Sequence, residues 1–124
     1  MPAITLFAKQ NFLNLETFRK TGKSVPTPVW FIQDGDMLYV RTGAESGKVK
    51  RIRANGRARI APCKADGALL GEWVEAKASL VKDPALIERV NQLYNQKYGL
   101  QKTFFDLLNW FGRRQWTTIA LRVE

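Results

Sequence analysis

Residues 41–60, RTGAESGKVKRIRANGRARI, carry the groups of this chain best suited to bind an anion, with seven Lys or Arg residues against one Glu. Ser46 is a suitable N-cap for a helix, and the first N–H groups of such a helix lack intrahelical partners. A phosphate there would meet these amides, and Gly43 and Gly47 would let it approach because they carry no side chain. Lys48 lies in the first turn and can reach back as a mobile positive charge. The stretch therefore has the composition of a phosphate-binding turn.

Three more side chains could extend this site, although a second interpretation is open. Thr42 adds a hydroxyl group, and Lys50 and Arg51 lie where they could contact a second anionic group. The same run also fits an ordinary solvent-exposed helix face, and its spacing is not that of a Walker A loop. Spacing alone favours neither interpretation. The other arginines of the run are assigned to the solvent-exposed face: Arg53, Arg57 and Arg59.

The absence of histidine limits the chemistry of the side chains. Cys63 is the single cysteine, so an intrachain disulfide is excluded. Because histidine is absent, Ser–His and Cys–His nucleophile pairs are excluded as well. A zinc site is disfavoured because a single cysteine is the only other preferred ligand. We identify no catalytic side chain and no metal site. An enzyme of this composition would depend on a bound cofactor for its chemistry.

Length and charge suggest the class of protein and its partners. The 124 residues show no repeat, linker or low-complexity run, so we expect a single domain over 1–124. No apolar stretch approaches the roughly 20 residues of a membrane span, and no signal peptide is evident, so we expect a cytoplasmic protein without a membrane partner. The net charge of +9 favours anionic partners, such as phosphorylated small molecules or nucleic acid.

Nucleic acid is the competing partner class, and the sequence disfavours it. Aromatic side chains that could stack on bases occur mostly at positions that are expected to be buried in strands or helices. No known nucleic-acid-binding motif is present. These aromatic residues are Trp30, Phe31, Tyr39, Trp73 and Trp110.

Alternation of apolar and polar residues predicts six strands. They cover residues 11–20, 24–33, 37–42, 57–63, 72–81 and 116–124. Pro26 and Pro28 cannot donate ladder hydrogen bonds, so the first half of the second strand is expected at a sheet edge or bulge. Asp34 and Gly35 favour a tight hairpin to the third strand.

Two helices and a short third one are expected outside these strands. The first runs from Ser46 to a stop at Asn55, and the second begins at Asp83–Pro84 and ends at Gly99. The segment 103–112 is apolar enough to form a third helix. The chain is therefore predicted to be mainly β (α+β), a small antiparallel barrel with two or three outer helices, because closing the sheet removes its exposed edges.

Five short segments occur in an order that is typical of a known family: TPVWF, LYVRTG, SGKVKR, APC and KYGL. Over residues 12–124 the chain resembles the pyridoxamine 5'-phosphate oxidase-like (PPOX class) split-barrel flavoproteins, and within them the deazaflavin-dependent branch. The resemblance implies a six-stranded antiparallel split β-barrel of the FMN-binding type. It further implies a homodimer that binds FMN or the deazaflavin coenzyme F-420 at the subunit interface.

The same resemblance implies roles for particular residues. The strand beside the cofactor ring would be formed by Thr27, Pro28, Val29 and Trp30. The phosphate-binding turn would be formed by Thr42, Ser46, Gly47 and Lys48, with Lys50 and Arg51 as additional anion contacts. The implied activity is hydride transfer to a small conjugated substrate, and a flavin-binding protein without efficient catalysis is the alternative. The vitamin-synthesising oxidases carry an Arg and a Lys on the ring-side strand, and this chain has neither there, which argues against oxidation of pyridoxine phosphate.

Overall fold

Seven strands and two α-helices form in the residues that the computed structural model describes, namely 3–19, 21–43, 47–98 and 116–123. The strands are β1 (Phe12–Phe18), β2 (Ser24–Trp30), β3 (Ile32–Asp34), β4 (Met37–Gly43), β5 (Arg57–Cys63), β6 (Val74–Val81) and β7 (Trp116–Val123). The helices are α1 (Gly47–Ala54) and α2 (Pro84–Tyr98), and a short 3-10 helix covers Ala3–Phe7. The predicted third helix, 103–112, lies outside the described residues.

The strands form one antiparallel sheet in the order β2-β1-β5-β6-β7-β4-β3. Its two outermost strands, β2 and β3, are consecutive in the chain and are separated only by Phe31. The sheet therefore curls until its edges meet, which makes it a split barrel. The predicted number of six strands is wrong by one. The segment 24–33, predicted as one strand, changes its pairing partner from β1 to β4 at Phe31 and is divided there into two strands.

The barrel interior is filled by every second side chain of the strands, as the period of a β-strand requires. Fully buried examples are Leu15 on β1, Val40 on β4 and Leu121 on β7. Helix α1 packs against β1 and β6. It contributes Ile52 to the same cluster, and its Val49 is also fully buried. The two apolar residues that predicted this helix are thus the ones that attach it to the barrel.

Helix α2 covers the outer face of β3, β4 and β7. The side chain of Asp83 caps it, since its Oδ1 accepts a hydrogen bond from the N–H of Ala85 at 3.1 Å. Val90, Tyr94 and Tyr98 are buried against the sheet in a second apolar cluster. No helix of the described residues is long and apolar enough to cross a membrane.

The hairpin between β3 and β4 turns at Gly35, whose φ is +62°. Asp34 pairs with Met37, so only two residues form the turn. A positive φ at the first of them is the pattern of a type II′ turn, which suits the twist of the strands it connects. The hairpin predicted from Asp34 and Gly35 is therefore present.

Candidate functional site

The barrel is split between β2 and the second half of β4. The first half of β4 pairs with β3, through residues 37–39. Strand β2 contacts β4 but does not pair with it. Continuing the register of β3 and β4 beyond the split would bring Val29 opposite Thr42. Thus two parts of the predicted site, the ring-side strand and the first residue of the phosphate turn, face each other across this split.

A tyrosine of α2 occupies the point at which the strands separate. The hydroxyl of Tyr94 donates a hydrogen bond to the carbonyl oxygen of Trp30 on β2 at 2.8 Å. The same hydroxyl accepts one from the N–H of Arg41 on β4 at 3.1 Å. One side-chain oxygen therefore replaces the direct bond that the two strands would otherwise form. Burial raises the pKa of Tyr94, so its hydroxyl stays protonated as this bridge requires.

The adjacent tyrosine secures the main chain where β2 changes into β3. The hydroxyl of Tyr98 accepts a hydrogen bond from the N–H of Phe31 at 3.2 Å and is 2.8 Å from the carbonyl oxygen of Asn11. It also contacts the carbonyl oxygen of Phe31. The ring of Tyr98 stacks on Trp30, with ring centres 5.2 Å apart. The position of the ring-side strand is thus set by α2.

The four predicted ring-side residues do not share one face of β2. Thr27 and Val29 lie opposite interior residues of β1, and Val29 packs against the interior cluster. Pro28 and Trp30 face outward, where Pro28 is exposed and Trp30 packs under α2. Main-chain groups also alternate in direction along a strand. The carbonyl oxygen of Trp30 points to the split, so Pro28 presents its main chain there as well, whereas Thr27 and Val29 direct theirs to β1.

The side chain of Arg51 folds back from α1 toward the beginning of its own helix. Its Nε donates a hydrogen bond to Oγ1 of Thr17 on β1 at 2.5 Å. A Cβ atom added at Gly47 would lie 2.7 Å from Nη1 of Arg51. Gly47 therefore leaves room for the guanidinium, and a side chain there would require the end of Arg51 to shift. Thr17 lies directly opposite Val25 of β2, which places this guanidinium two residues from the start of the ring-side segment.

Lys48 lies beside this guanidinium and is half-buried. Burial lowers the pKa of Lys48, and the positive charge of Arg51 lowers it further. Burial likewise lowers the pKa of Arg51, with a smaller effect from the charge of Arg19. These directions mean that Lys48 is partly desolvated and close to the positive charge of Arg51, while Arg51 itself is less buried.

No carboxylate among the described residues forms an ion pair with Lys48 or Arg51. The ion pairs there are Arg57–Glu75, Arg59–Glu16 and Arg89–Asp34. Two cations at the amino end of a helix, where the helix dipole is also positive, repel each other unless an anion lies between them. The arrangement therefore fits a phosphate group, and it offers no paired acid and base for proton transfer.

The remaining predicted site residues are placed as follows. Thr42 ends the interior-facing row of β4 and is 8% exposed. Lys50 is exposed and forms no ion pair within the described part of the chain. Ser46 lies outside the described residues. The sequence interpretation missed Thr17 and the hydroxyl of Tyr94. The sequence did contain a signal for Tyr94: it stands in the apolar stripe of a helix, where Leu or Phe would pack equally well. A tyrosine at such a position indicates a hydrogen bond, because a buried tyrosine hydroxyl usually has a partner.

Comparison with known proteins gives one family and many similar folds. The model of the family described as pyridoxamine 5'-phosphate oxidase matches residues 3–122. A search of the curated proteins finds no match to this chain.

Three solved structures illustrate the similarity of fold. The haem storage protein HutZ from Vibrio cholerae is 16% identical with a TM-score of 0.68, over 98% of this chain and 87% of that one. An FAD-binding protein from Mesorhizobium loti is 14% identical with a TM-score of 0.67, over 100% of this chain and 91% of that one. An F420 reductase is 19% identical with a TM-score of 0.61, over 97% of this chain and 91% of that one. At these identities the likeness concerns the fold alone.

Proposed function

Because the chain belongs to the pyridoxamine 5'-phosphate oxidase family, we propose that it binds a flavin-type cofactor by its phosphate tail and acts as an oxidoreductase. The carrying observation is the pair of cations beside the start of α1: Lys48 is half-buried there, and the guanidinium of Arg51 is held beside Gly47 by its bond to Thr17. Neither cation has a carboxylate partner among the described residues. An anionic tail would neutralise them. The first N–H groups of α1, which begins at Gly47, lack intrahelical partners and would add amide donors at the same place.

The ring of the cofactor would lie along the split of the barrel. The carbonyl oxygen of Pro28 would accept a hydrogen bond from one edge of it, because the main chain of Pro28 faces the split and β2 pairs with another strand on the other side only. Thr42 would contribute from the opposite side of the split. A bound flavin or deazaflavin supplies hydride chemistry, which side chains cannot perform. The role of the protein is to hold the tail, orient the ring and leave room for a small conjugated substrate.

We propose the deazaflavin coenzyme F-420 rather than FMN as the cofactor, although the same residues suit both tails. The family resemblance to the deazaflavin branch supports this choice, as does the similarity of the fold to that of an F420 reductase. The fold is also similar to that of an FAD-binding protein, so the cofactor has to be identified by titration. Strand β2 carries no Arg or Lys, which argues against pyridoxine phosphate as the substrate.

We further propose that the chain forms a homodimer, with the split completed by a second copy. Leu69 and Leu70, in the loop between β5 and β6, are 49% and 50% exposed. Two adjacent exposed leucines are poorly suited to solvent and suited to an interface. The edge of β2 that faces the split has no strand partner, so a second copy placed there would enclose the cofactor ring.

Titration with three ligands tests the binding proposal. FMN, F-420 and riboflavin, which lacks the phosphate, are added to the wild-type chain and to Lys48→Met, and binding is followed by fluorescence. We expect Lys48→Met to weaken FMN or F-420 by about 1–3 kcal/mol, the scale of a charge-assisted hydrogen bond, and to leave riboflavin unchanged. Arg53→Met, which removes an exposed charge from the same helix, is the control and should change neither affinity.

Two results would contradict parts of this proposal. If Lys48→Met weakened riboflavin and FMN binding equally, the phosphate tail would not lie at Lys48. If the wild-type chain bound none of FMN, F-420 and riboflavin, the proposal of a flavin-type cofactor would be rejected. Oxidation of the reduced cofactor in the presence and absence of candidate conjugated substrates then separates an oxidoreductase from a protein that only binds flavin.

A further inference from the structure

Three cations lie side by side across the outer face of the sheet. Arg57 on β5 is directly opposite Lys77 on β6, and Lys77 is directly opposite Arg122 on β7. Directly opposite residues share a face of the sheet, and all three side chains are exposed. Like charges in such positions destabilise a sheet. The row therefore has a cost to folding, and its geometry suggests that a ligand offsets it.

In the next row along the same strands, the basic residue lies opposite carboxylates. Arg59 is opposite Glu75 on one side and Glu16 on the other, and its Nε is 2.6 Å from Oε1 of Glu16. That row is neutralised internally. In the row of Arg57, Lys77 and Arg122, Arg57 forms an exposed ion pair with Glu75, at 3.5 Å between two half-exposed side chains. Lys77 and Arg122 have no carboxylate partner among the described residues.

Two depressions flank the central lysine. One has a volume of about 410 Å³ and is lined by Arg57, Lys77, Glu75 and the chain around Gly56, so its two cations share it with one carboxylate. The other has a volume of about 440 Å³ and is lined by Lys77, Arg122 and again Gly56. Volumes of this order suit small ligands. Each depression has its own arginine, and the lysine is common to both.

Gly56 allows a close main-chain contact where the two depressions meet. A Cβ atom at this position would lie 2.9 Å from the carbonyl oxygen of Ala78, so a larger residue could not adopt this backbone position. The carbonyl oxygen of Gly56 accepts a hydrogen bond from the N–H of Ala78 at 2.7 Å. At Arg57, the guanidinium lies 4.5 Å from the ring centre of Phe18, a contact that orients it.

We propose that Arg57, Lys77 and Arg122 form a binding site for a small ligand with two or more linked phosphate groups. Neighbouring strands are about 4.8 Å apart, so the row spans roughly 10 Å. Two or three linked phosphates match that length, with one arginine at each end and the lysine between them. The neutralised row of Arg59 on one side, and Ser79 and Ala120 on the other, leave no continuous positive track for a long polyanion along the strands. This site is separate from the proposed cofactor site at the opposite end of α1.

Calorimetric titration of the full chain tests this proposal. Inorganic phosphate, tripolyphosphate and adenosine triphosphate are added to the wild type and to Lys77→Met. We expect tripolyphosphate to bind at least about tenfold more tightly than inorganic phosphate, and Lys77→Met to reduce that affinity about tenfold or more. Lys82 is an exposed lysine just beyond the same strand and serves as the control. Lys82→Met should change the affinity for tripolyphosphate by less than about twofold. Comparison of tripolyphosphate with adenosine triphosphate shows whether a free oligophosphate or a nucleotide is preferred.

Further variants and one further ligand distinguish this site from the cofactor site and from attraction by the net charge of the chain. Lys48→Met should leave tripolyphosphate binding to the row unchanged, and Lys77→Met should leave FMN binding unchanged, so the two proposals fail independently. Arg122→Met is the second variant of the row and should act like Lys77→Met. Equal losses in Lys77→Met and Lys82→Met would mean attraction by the net charge alone and would overturn the proposal. Tighter binding of a twelve-nucleotide oligothymidine than of tripolyphosphate would overturn it in favour of a nucleic-acid surface.

Discussion

The carboxyl end of α2 and the amino end of α1 both place polar groups in partly buried positions, but they satisfy them differently. At α2, the ammonium of Lys97 is 2.6 Å from the carbonyl oxygen of Gln10 and 3.0 Å from that of Phe31. The hydroxyl of Tyr98 likewise bonds to main-chain groups. At α1, Lys48 faces another cation. The difference indicates that α2 serves to hold the barrel in shape, whereas α1 is arranged for an anion that the chain does not itself supply.

The largest effect is expected at the end of α2. Tyr98→Phe keeps the ring that stacks on Trp30 but removes the hydroxyl, which leaves buried main-chain groups of Phe31 and Asn11 without that partner. We expect the free energy of unfolding to fall by about 2–4 kcal/mol, measured by urea denaturation. Tyr39→Phe is the control, because its hydroxyl forms no hydrogen bond within the described residues, and it should cost less than about 1 kcal/mol. Similar losses in both variants would show that the hydroxyl of Tyr98 is not what matters.

A smaller effect of the opposite sign is expected at the start of α1. Lys48→Met removes a desolvated charge that Arg51 repels, so the free energy of unfolding should rise by about 0.5–2 kcal/mol in the absence of cofactor. The same variant should bind FMN less well, which is the signature of a residue kept for binding at a cost to stability. Arg53→Met should change stability by less than about 0.5 kcal/mol. Destabilisation by Lys48→Met would mean that Lys48 has a structural partner, and the contrast between the two helices would be lost.

The smallest effect concerns the pH dependence of stability. Burial lowers the pKa of Lys97 to about 8, whereas in the unfolded chain it has the ordinary value of a lysine, 10.5. Between these values Lys97 binds more protons in the unfolded chain than in the folded one, so its contribution to stability rises with pH. We expect a gain of about 1 kcal/mol from pH 7.5 to 9.5, after allowance for solvent screening of a half-buried group.

Urea denaturation of Lys97→Met at the same two pH values isolates this contribution. The lowered pKa of Lys48 acts in the same direction in both proteins, so the wild type should gain more stability than the variant by the share of Lys97 alone. Above pH 10 the trend should reverse, because burial raises the pKa of Tyr94 and Tyr98 and their unfolded forms lose protons first. Equal pH profiles for the wild type and Lys97→Met would contradict the role of Lys97.

Much of the secondary structure could be predicted because its signals are local. The apolar pair Val49 and Ile52, followed by Asn55, predicted α1, and the cap at Asp83 predicted the beginning of α2. The alternation of β1 and the turn at Gly35 were equally informative. The division of one strand at Phe31 was not predicted, because the apolar run from Pro28 to Ile32 continues across the junction and β2 and β3 differ in the strands with which they pair.

The candidate site was predicted in its residue types but not in its geometry. The spacing of Gly47, Lys48 and Arg51 indicated an anion site, and an exposed helix face fitted that spacing equally well. Their burial favours the anion site, and so does the absence of a carboxylate partner in the described part of the chain. The contact of Arg51 with Thr17, 34 residues away in the chain, has no sequence signal.

The sequence by itself determined where strands and helices form and how strongly positive the chain is, because periodicity, capping and charge are properties of neighbouring residues. The tertiary structure decided the order of the strands, the split held by Tyr94, and which cations acquire carboxylate partners. Arg59 and Lys77 are both basic residues of adjacent strands, and nothing in the sequence separates them. Long-range pairing places Arg59 between two glutamates and Lys77 between two arginines, and that difference makes one residue structural and the other a candidate for binding.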